Sequence, residues 1–117
     1  SYGLSDQEVE RMIRESFVFA QQDITERQRI EAMNEAESIL KATEKALARA
    51  DGLATPEELA AIRQAIADLK AAMAGTDHRT IRDAIAALDK ASYSVAEKLM
   101  NSTLEGALKD KKLSDVT

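Results

Sequence analysis

Few side chains in this sequence are of the types that perform catalysis or bind metals, and those few are dispersed. His78 is the only histidine and cysteine is absent, which excludes a Cys–His nucleophile and a thiolate metal site. The acidic pairs Glu35/Glu37 and Glu57/Glu58 lie on alanine-rich segments, where carboxylates usually face solvent or cap a helix. A lone histidine in the first turn of a predicted helix is typically a surface residue. We therefore predict no catalytic residues and no metal site.

The glycines and the overall charge exclude further classes of function. The four glycines occur singly and form no phosphate-binding loop, so no cofactor site and no enzymatic activity are expected. The formal net charge of −5 argues against nucleic acid as a partner, because neutralising phosphates requires a basic face. No apolar run approaches the roughly eighteen residues of a membrane span. The absence of cysteine is typical of a reducing compartment such as the cytoplasm.

The elements that must position any functional residues are helices. Frequent alanine, one proline and four glycines in 117 residues predict an all-α protein. Ser5 and Glu8 match a capping box, so a first helix is expected from about residue 6 to residue 21. The polar residues 21–23 are the predicted bend before a second helix over residues 24–50, although neither glycine nor proline forces a full break there.

Two further helices follow in the second half of the chain. Thr55, with a proline directly after it, predicts a third helix that stops at Gly75. Asp77 caps a fourth helix, which we expect either to run on or to break near residues 92–94 or at Gly106. The last nine residues are polar, and a flexible tail is predicted for them.

The second, third and fourth helices each carry an apolar seam with three- and four-residue spacing, which places each seam on one helix face. Short connections make these helices antiparallel neighbours, so the sequence predicts an antiparallel three-helix bundle. The seams consist of Met33, Ala36, Leu40, Thr43, Leu47 and Ala50; Leu59, Ile62, Ile66, Leu69 and Met73; and Ile81, Ile85, Leu88, Ser92, Val95 and Leu99.

Helix lengths predict that the first helix projects from this bundle. At 1.5 Å per residue the second helix is roughly 40 Å long and the third about 28 Å, so the start of the second helix overhangs its neighbour. The chain is thus expected to comprise an N-terminal arm over residues 1–23, a bundle over residues 24–108 and a tail over residues 109–117.

The arm carries an apolar stripe, consisting of Val9, Met12, Ile13 and Phe17, that the three seams leave without a partner. We expect this stripe, together with Met33 on the overhang, to contact another protein surface. The alternative is that the arm folds back as a fourth bundle member. Phe19 points off the stripe, so one helix face cannot bury every aromatic residue of the arm.

The order of these segments resembles the helical lid of the seventy-kilodalton heat-shock chaperones of the DnaK type. Residues 3–12 (GLSDQEVERM) resemble the Gly-Leu-x-x-x-Glu-Ile-x-x-Met opening of that lid, and the resemblance extends over essentially the whole chain. Residues 1–4 (SYGL), 16–23 (SFVFAQQD) and 100–108 (MNSTLEGAL), and the short ending in residues 113–116 (LSDV), are most similar to the HscA branch, which serves iron–sulfur cluster assembly.

The resemblance implies a five-helix lid that closes over a bound client peptide and slows its release. The arm stripe would then pack on the β-subdomain of the parent chaperone, whose ATPase domain and client cleft lie outside this sequence. ATP is the implied cofactor of the parent, and the implied partners are an iron–sulfur scaffold client and a J-domain co-chaperone.

One latch position carries over from the family. In DnaK proteins an acidic residue three positions after an asparagine binds a basic residue of the β-subdomain, and Asn34 and Glu37 match that spacing here. The assisting histidine four residues later is replaced by Lys41, which cannot accept a hydrogen bond. A surface ion pair between Glu37 and Lys41 is the alternative interpretation.

A function of a different class stays open at this stage. A free-standing helical adaptor would bind an amphipathic partner helix through the same arm stripe. An unpartnered apolar arm also predicts that this chain by itself dimerises through its N-terminal helix.

Overall fold

The computed structural model describes residues 3–116. Its three α-helices are α1 (Asp6–Arg49), α2 (Pro56–Met73) and α3 (His78–Val116), and they confirm the predicted all-α fold class. The described residues thus contain three helices, and the five helices implied by the family resemblance are wrong for this chain. Ser1, Tyr2 and Thr117, which belong to the predicted arm and tail, lie outside the described residues.

Helix α1 begins where the sequence predicts and continues much further. The Ser5 hydroxyl accepts the Glu8 N–H at 3.2 Å and the Ser5 N–H donates to Glu8 Oε2 at 3.4 Å, which confirms the capping box. The prediction of two separate helices with a bend at residues 21–23 is wrong. No glycine or proline interrupts the backbone ladder there, and the Thr25 hydroxyl donates to the Gln21 carbonyl at 2.9 Å within the unbroken helix.

Helix α2 follows a tight turn. Gly52 has a φ of +82°, a left-handed conformation that glycine adopts without the steric clash of a Cβ atom. The helix then starts with a second capping box, in which the Thr55 hydroxyl accepts the Glu58 N–H at 3.1 Å and the Thr55 N–H donates to Glu58 Oε1 at 2.9 Å. Its end at Met73, just before Gly75, matches the prediction.

Helix α3 starts after Asp77, whose Oδ1 accepts the Arg79 N–H at 2.9 Å. The helix is continuous through residues 92–94 and through Gly106, so the expectation that it runs on is confirmed and the alternative of a break is not. The Ser92 hydroxyl donates to the Leu88 carbonyl at 2.8 Å, and a glycine inside a helix costs only about 1 kcal/mol relative to alanine. Helix α3 also includes residues 109–116, for which flexibility stays a prediction.

The core confirms the three predicted seams. Every seam residue is buried or half-buried, and none is exposed. Ala32 and Ala65 are additional buried residues that the seam pattern omitted. The buried apolar side chains belong to all three helices or to the end of α1: Ala32, Ala36, Ala50, Ile62, Ala65, Leu69, Ile81, Ile85, Leu88 and Val95. Two ion pairs add links between helices: Arg82 of α3 binds Glu35 of α1 at 3.1 Å, and Lys98 of α3 binds Glu58 of α2 at 2.5 Å.

The molecule is long and thin, with principal extents of 93 × 34 × 16 Å. Helix α1 has 44 residues and α2 only 18, so the N-terminal half of α1 extends beyond α2. The projecting arm that helix lengths predict is therefore present as part of α1. No helix in the described range is both long and apolar enough to cross a membrane.

Candidate interaction surface

The arm stripe of Val9, Met12, Ile13 and Phe17 lies on the solvent-facing surface of α1. These side chains are between 41% and 65% exposed, and they line two shallow depressions in the surface of α1. Because α1 is one continuous helix, the arm does not fold back, and the alternative of a fourth bundle member is wrong. Among the described residues, nothing covers this apolar surface.

The register of α1 places the arm stripe and the core seam on different sides of the helix. At 3.6 residues per turn, the stripe lies roughly opposite Ala36, Thr43 and Ala50, which are buried against α2 and α3. A protein that contacts the stripe would therefore approach α1 from the side away from the bundle. One helix thus presents two apolar faces, one filled and one open.

The three proposed latch residues lie on the same side of α1 as the stripe. Asn34, Glu37 and Lys41 are all exposed, and their spacing places them on one helix face. Within the described part of the chain no ion pair joins Glu37 to Lys41, so the predicted surface pair is not formed. The Glu37 carboxylate is therefore available to a partner.

Met33 is placed differently from the other residues predicted to contact a partner. It is half-buried and packs against the bundle core. The sequence predicted both a seam position and a partner contact for Met33, and its packing agrees with the seam position.

Sequence reasoning missed two apolar residues of this surface, Ile24 and Ile30. They are 50% and 47% exposed and lie on α1 between the stripe and the latch residues, so exposed apolar side chains recur along α1 as far as Ile30. The sequence did contain a signal for them, because both isoleucines lie off the core seam. Their exposure follows once α1 is known to continue through the predicted bend. Val18 and Phe19 are also exposed, at 47% and 63%, and Phe19 keeps no partner among the described residues.

Glu35 and Glu58, one from each acidic pair, have structural roles. Glu58 belongs to a capping box and an ion pair, and Glu35 belongs to an ion pair, as expected for solvated or capping carboxylates. His78 is half-buried, and its Nδ1 atom is buried without a hydrogen-bond partner, so the prediction of a surface histidine is wrong. The described residues contain no group of three or more His, Cys, Asp or Glu that could hold a metal ion.

The described residues form a helical bundle from which one helix extends with an open apolar face. A family model described as "Hsp70 protein" matches residues 1–101, and the chain belongs to the Hsp70 family. Curated relatives are chaperones named HscA. The chain is 40% identical over 116 residues to the chaperone protein HscA homolog of Methylococcus capsulatus, which covers 99% of this chain and 19% of that protein.

Two further relatives are also chaperones named HscA. Identity is 42% over 115 residues with the HscA homolog of Azoarcus sp., covering 98% of this chain and 18% of that protein. Identity is 39% over 116 residues with the chaperone protein HscA of Yersinia enterocolitica, covering 99% of this chain and 19% of that protein. The chain thus spans about a fifth of the length of the relatives it matches.

Proposed function

We propose that this chain is the lid subdomain of a DnaK-type chaperone, which closes over a bound client peptide and slows its release. The single observation that carries the proposal is the open face of α1, which exposes the arm stripe and then Ile24 and Ile30. Charged residues such as Arg27 lie between these side chains, and the face ends in the polar residues 34, 37 and 41. A long helix that is buried on one side and apolar on the other needs a second surface, and the β-subdomain of the parent is that surface.

The physical basis of closure is apolar burial along the arm. Covering one large apolar side chain stabilises the closed state by about 1.5–3 kcal/mol, and each 1.4 kcal/mol is about tenfold in an equilibrium constant. Burial of two or three side chains such as Ile13 and Phe17 would therefore hold the lid shut against thermal opening. Release of the client would then require separation of the arm from the β-subdomain.

Glu37 supplies the polar part of closure in this proposal. Its carboxylate would pair with a basic side chain of the β-subdomain, with Asn34 one turn away. Lys41 stands where the family has a histidine and offers donors only, so it would bind a carboxylate or carbonyl oxygen of the β-subdomain. The latch would thereby contain two opposite charges on one helix face.

The wider assignments follow from the relatives named HscA. The client would be an iron–sulfur scaffold protein, the parent would bind ATP in a separate domain, and a J-domain protein would act as co-chaperone in the cytoplasm. The lid itself would have no enzymatic role, because the hydrolysis of ATP belongs to the other domain.

The proposal is tested in the full-length parent with a fluorescent client peptide. Phe17→Ser should accelerate peptide dissociation in the ADP state by about tenfold or more, since one large apolar contact is lost. Leu104→Ser is the matched control, because Leu104 is 55% exposed on α3, away from the arm. An unchanged dissociation rate for Phe17→Ser, with intact ATPase activity, would contradict the lid assignment.

We also propose that the isolated chain self-associates through the open face of its arm. Exposed large apolar residues along one helix favour pairing with the same face of a second copy. Light scattering should then report a dimer for the chain and a monomer for Phe17→Ser. A monomeric chain at high concentration would contradict this.

A further inference from the structure

A second apolar surface lies on α3, away from the arm. Tyr93, Met100 and Leu104 are 70%, 65% and 55% exposed, and with Ala96 they recur at spacings of three and four residues. That spacing places them on one face of α3, which we call the α3 stripe. It is distinct from the core seam of α3, whose residues Leu88 and Val95 are buried.

The α3 stripe borders a groove between α1 and α3. A cavity of about 210 Å³ opens there, with walls formed by residues such as Ala42 and Ala46 of α1 and Val95 and Ala96 of α3, and with Ile62 of α2 contributing to the lining. A neighbouring depression on α3 includes Tyr93 and again Ala96. The small alanine side chains leave room for a third backbone to approach closely.

The two hydroxyl groups that line this groove already have hydrogen-bond partners, and Asp89 is the one charged side chain of the cavity wall. The Thr43 hydroxyl donates to the Ile39 carbonyl at 2.7 Å, and the Ser92 hydroxyl donates to the Leu88 carbonyl at 2.8 Å. These hydroxyls therefore need no external partner, and away from Asp89 the cavity wall is apolar and favours an apolar side chain over water.

The geometry of the two walls fits a helix. Helices α1 and α3 are both antiparallel to α2 and hence run in the same direction, with a groove between them. A fourth helix packed into that groove would complete a four-helix bundle. One bulky side chain of that helix would enter the cavity, and its neighbours would contact the α3 stripe.

The charged residues beside the groove predict the charge on one side of a helix that docks there. Lys45 and Arg49 lie three residues beyond Ala42 and Ala46 on α1, are exposed, and take part in no ion pair within the described residues. On the α3 side, Asp89 and Lys90 carry opposite signs. The complementary helix therefore has carboxylates on the flank that faces α1.

We propose that the groove between α1 and α3, together with the α3 stripe, docks an amphipathic helix of a partner protein that carries carboxylates along one flank. This surface lies outside the open face of α1, and the proposal does not depend on the lid role. The partner is defined by its chemistry: an apolar ridge at three- and four-residue spacing with glutamate or aspartate beside it.

The test uses two labelled helical peptides of about 18 residues, long enough to follow the α3 stripe. Both have a leucine ridge; one carries glutamates on the flank facing α1 and the other carries lysines. Fluorescence anisotropy with the 117-residue chain should give about tenfold tighter binding of the glutamate peptide. Lys45→Glu combined with Arg49→Glu should reverse that preference.

A matched pair of variants locates the binding site. Ala96→Glu should weaken binding of the glutamate peptide by about tenfold or more, because it places a charge in the apolar groove. Ala60→Glu, at an exposed alanine of α2, should leave binding unchanged, and circular dichroism would verify that both variants fold.

Three outcomes would overturn the proposal. The first is equal binding of the two peptides, and the second is equal binding by Ala96→Glu and the unaltered chain. The third is a dimeric chain that becomes monomeric on Ala96→Glu, since the groove would then hold a second copy. Dimerisation through the arm responds instead to Phe17→Ser.

Discussion

Lys98 on α3 and Glu58 in the first turn of α2 form an ion pair, with Nζ at 2.5 Å from Oε1. The same ammonium group donates to the carbonyl of Leu53, in the turn between α1 and α2, at 3.4 Å. The Ser94 hydroxyl donates to the other carboxylate oxygen of Glu58 at 2.6 Å. Since Glu58 also caps α2 by accepting the Thr55 N–H, one carboxylate joins α3 to the start of α2.

We predict that the stability of the bundle falls in acid through Glu58. Hydrogen bonds from Lys98, Ser94 and the Thr55 backbone, in that order of effect, lower the pKa of Glu58 from 4.5 to about 2. A carboxyl group with a lowered folded-state pKa stabilises the fold fully above its unfolded value, and this contribution is lost as the pH falls from about 4.5 towards 2. Glu58→Gln should therefore lower the Tm at neutral pH by a few degrees.

The measurement is thermal unfolding of both chains between pH 7 and pH 2. The difference in Tm between the unaltered chain and Glu58→Gln should be constant above pH 5 and shrink below it. Glu57→Gln, an exposed neighbour in the same helical turn, controls for the loss of charge at the helix start. A difference in Tm that persists undiminished at pH 2 would refute the assignment.

The bundle was predictable because its signals are local. Capping boxes at Ser5 and Thr55 fix two helix starts, Gly52 and Gly75 fix two ends, and the seam spacing identifies the core face of each helix. A residue such as Leu69 follows this spacing and is fully buried. Each of these features depends on a few neighbouring residues, so sequence alone sufficed.

The continuity of α1 and α3 was not predictable in the same way. Residues 21–23 and 92–94 are polar, and a polar stretch is compatible with both a turn and a solvated helix. The continuous helix contains a bond from the Thr25 hydroxyl to the Gln21 carbonyl, which forms only once the helix exists and therefore gives no signal in the sequence. Lys98 and Glu58, which form an ion pair, lie 40 residues apart in sequence, so no local pattern indicates this contact.

The second prediction concerns the core. Leu69 is fully buried, so Leu69→Ala should destabilise the fold by about 2–5 kcal/mol through lost burial and the cavity left behind. The matched control is Leu104→Ala, the same substitution at a residue that is 55% exposed, with an expected change within about 0.5 kcal/mol. Urea unfolding of both variants measures the two free energies of unfolding. Equal losses would mean that α3 beyond Leu99 packs more tightly than described.

The third prediction separates the latch from fold stability. Glu37 is exposed and forms no ion pair with Lys41 in the described chain, so Glu37→Ala should change the free energy of unfolding of this chain by less than about 0.5 kcal/mol. In the full-length parent the same substitution should accelerate peptide release. The activation free energy of release should fall by up to about 1–3 kcal/mol if the Glu37 carboxylate is desolvated when the lid docks.

The control for the latch is Glu97→Ala, at an exposed glutamate on α3 away from the open face of α1. It should leave peptide release unchanged in a stopped-flow measurement. Equal dissociation rates for Glu37→Ala and the unaltered parent would remove the latch assignment, while leaving the apolar contacts of the arm untouched.

The last prediction concerns the arm as a whole. Deleting residues 1–23 should leave a bundle that still unfolds cooperatively, because the first buried residue of α1 is Ala32 and the arm stripe is exposed. The Tm should shift only slightly, and scattering should show a monomer. If the shortened chain lost its cooperative transition, then the arm would belong to the core. In that case the open face of α1 would be a structural surface, and docking on a β-subdomain would need a different explanation.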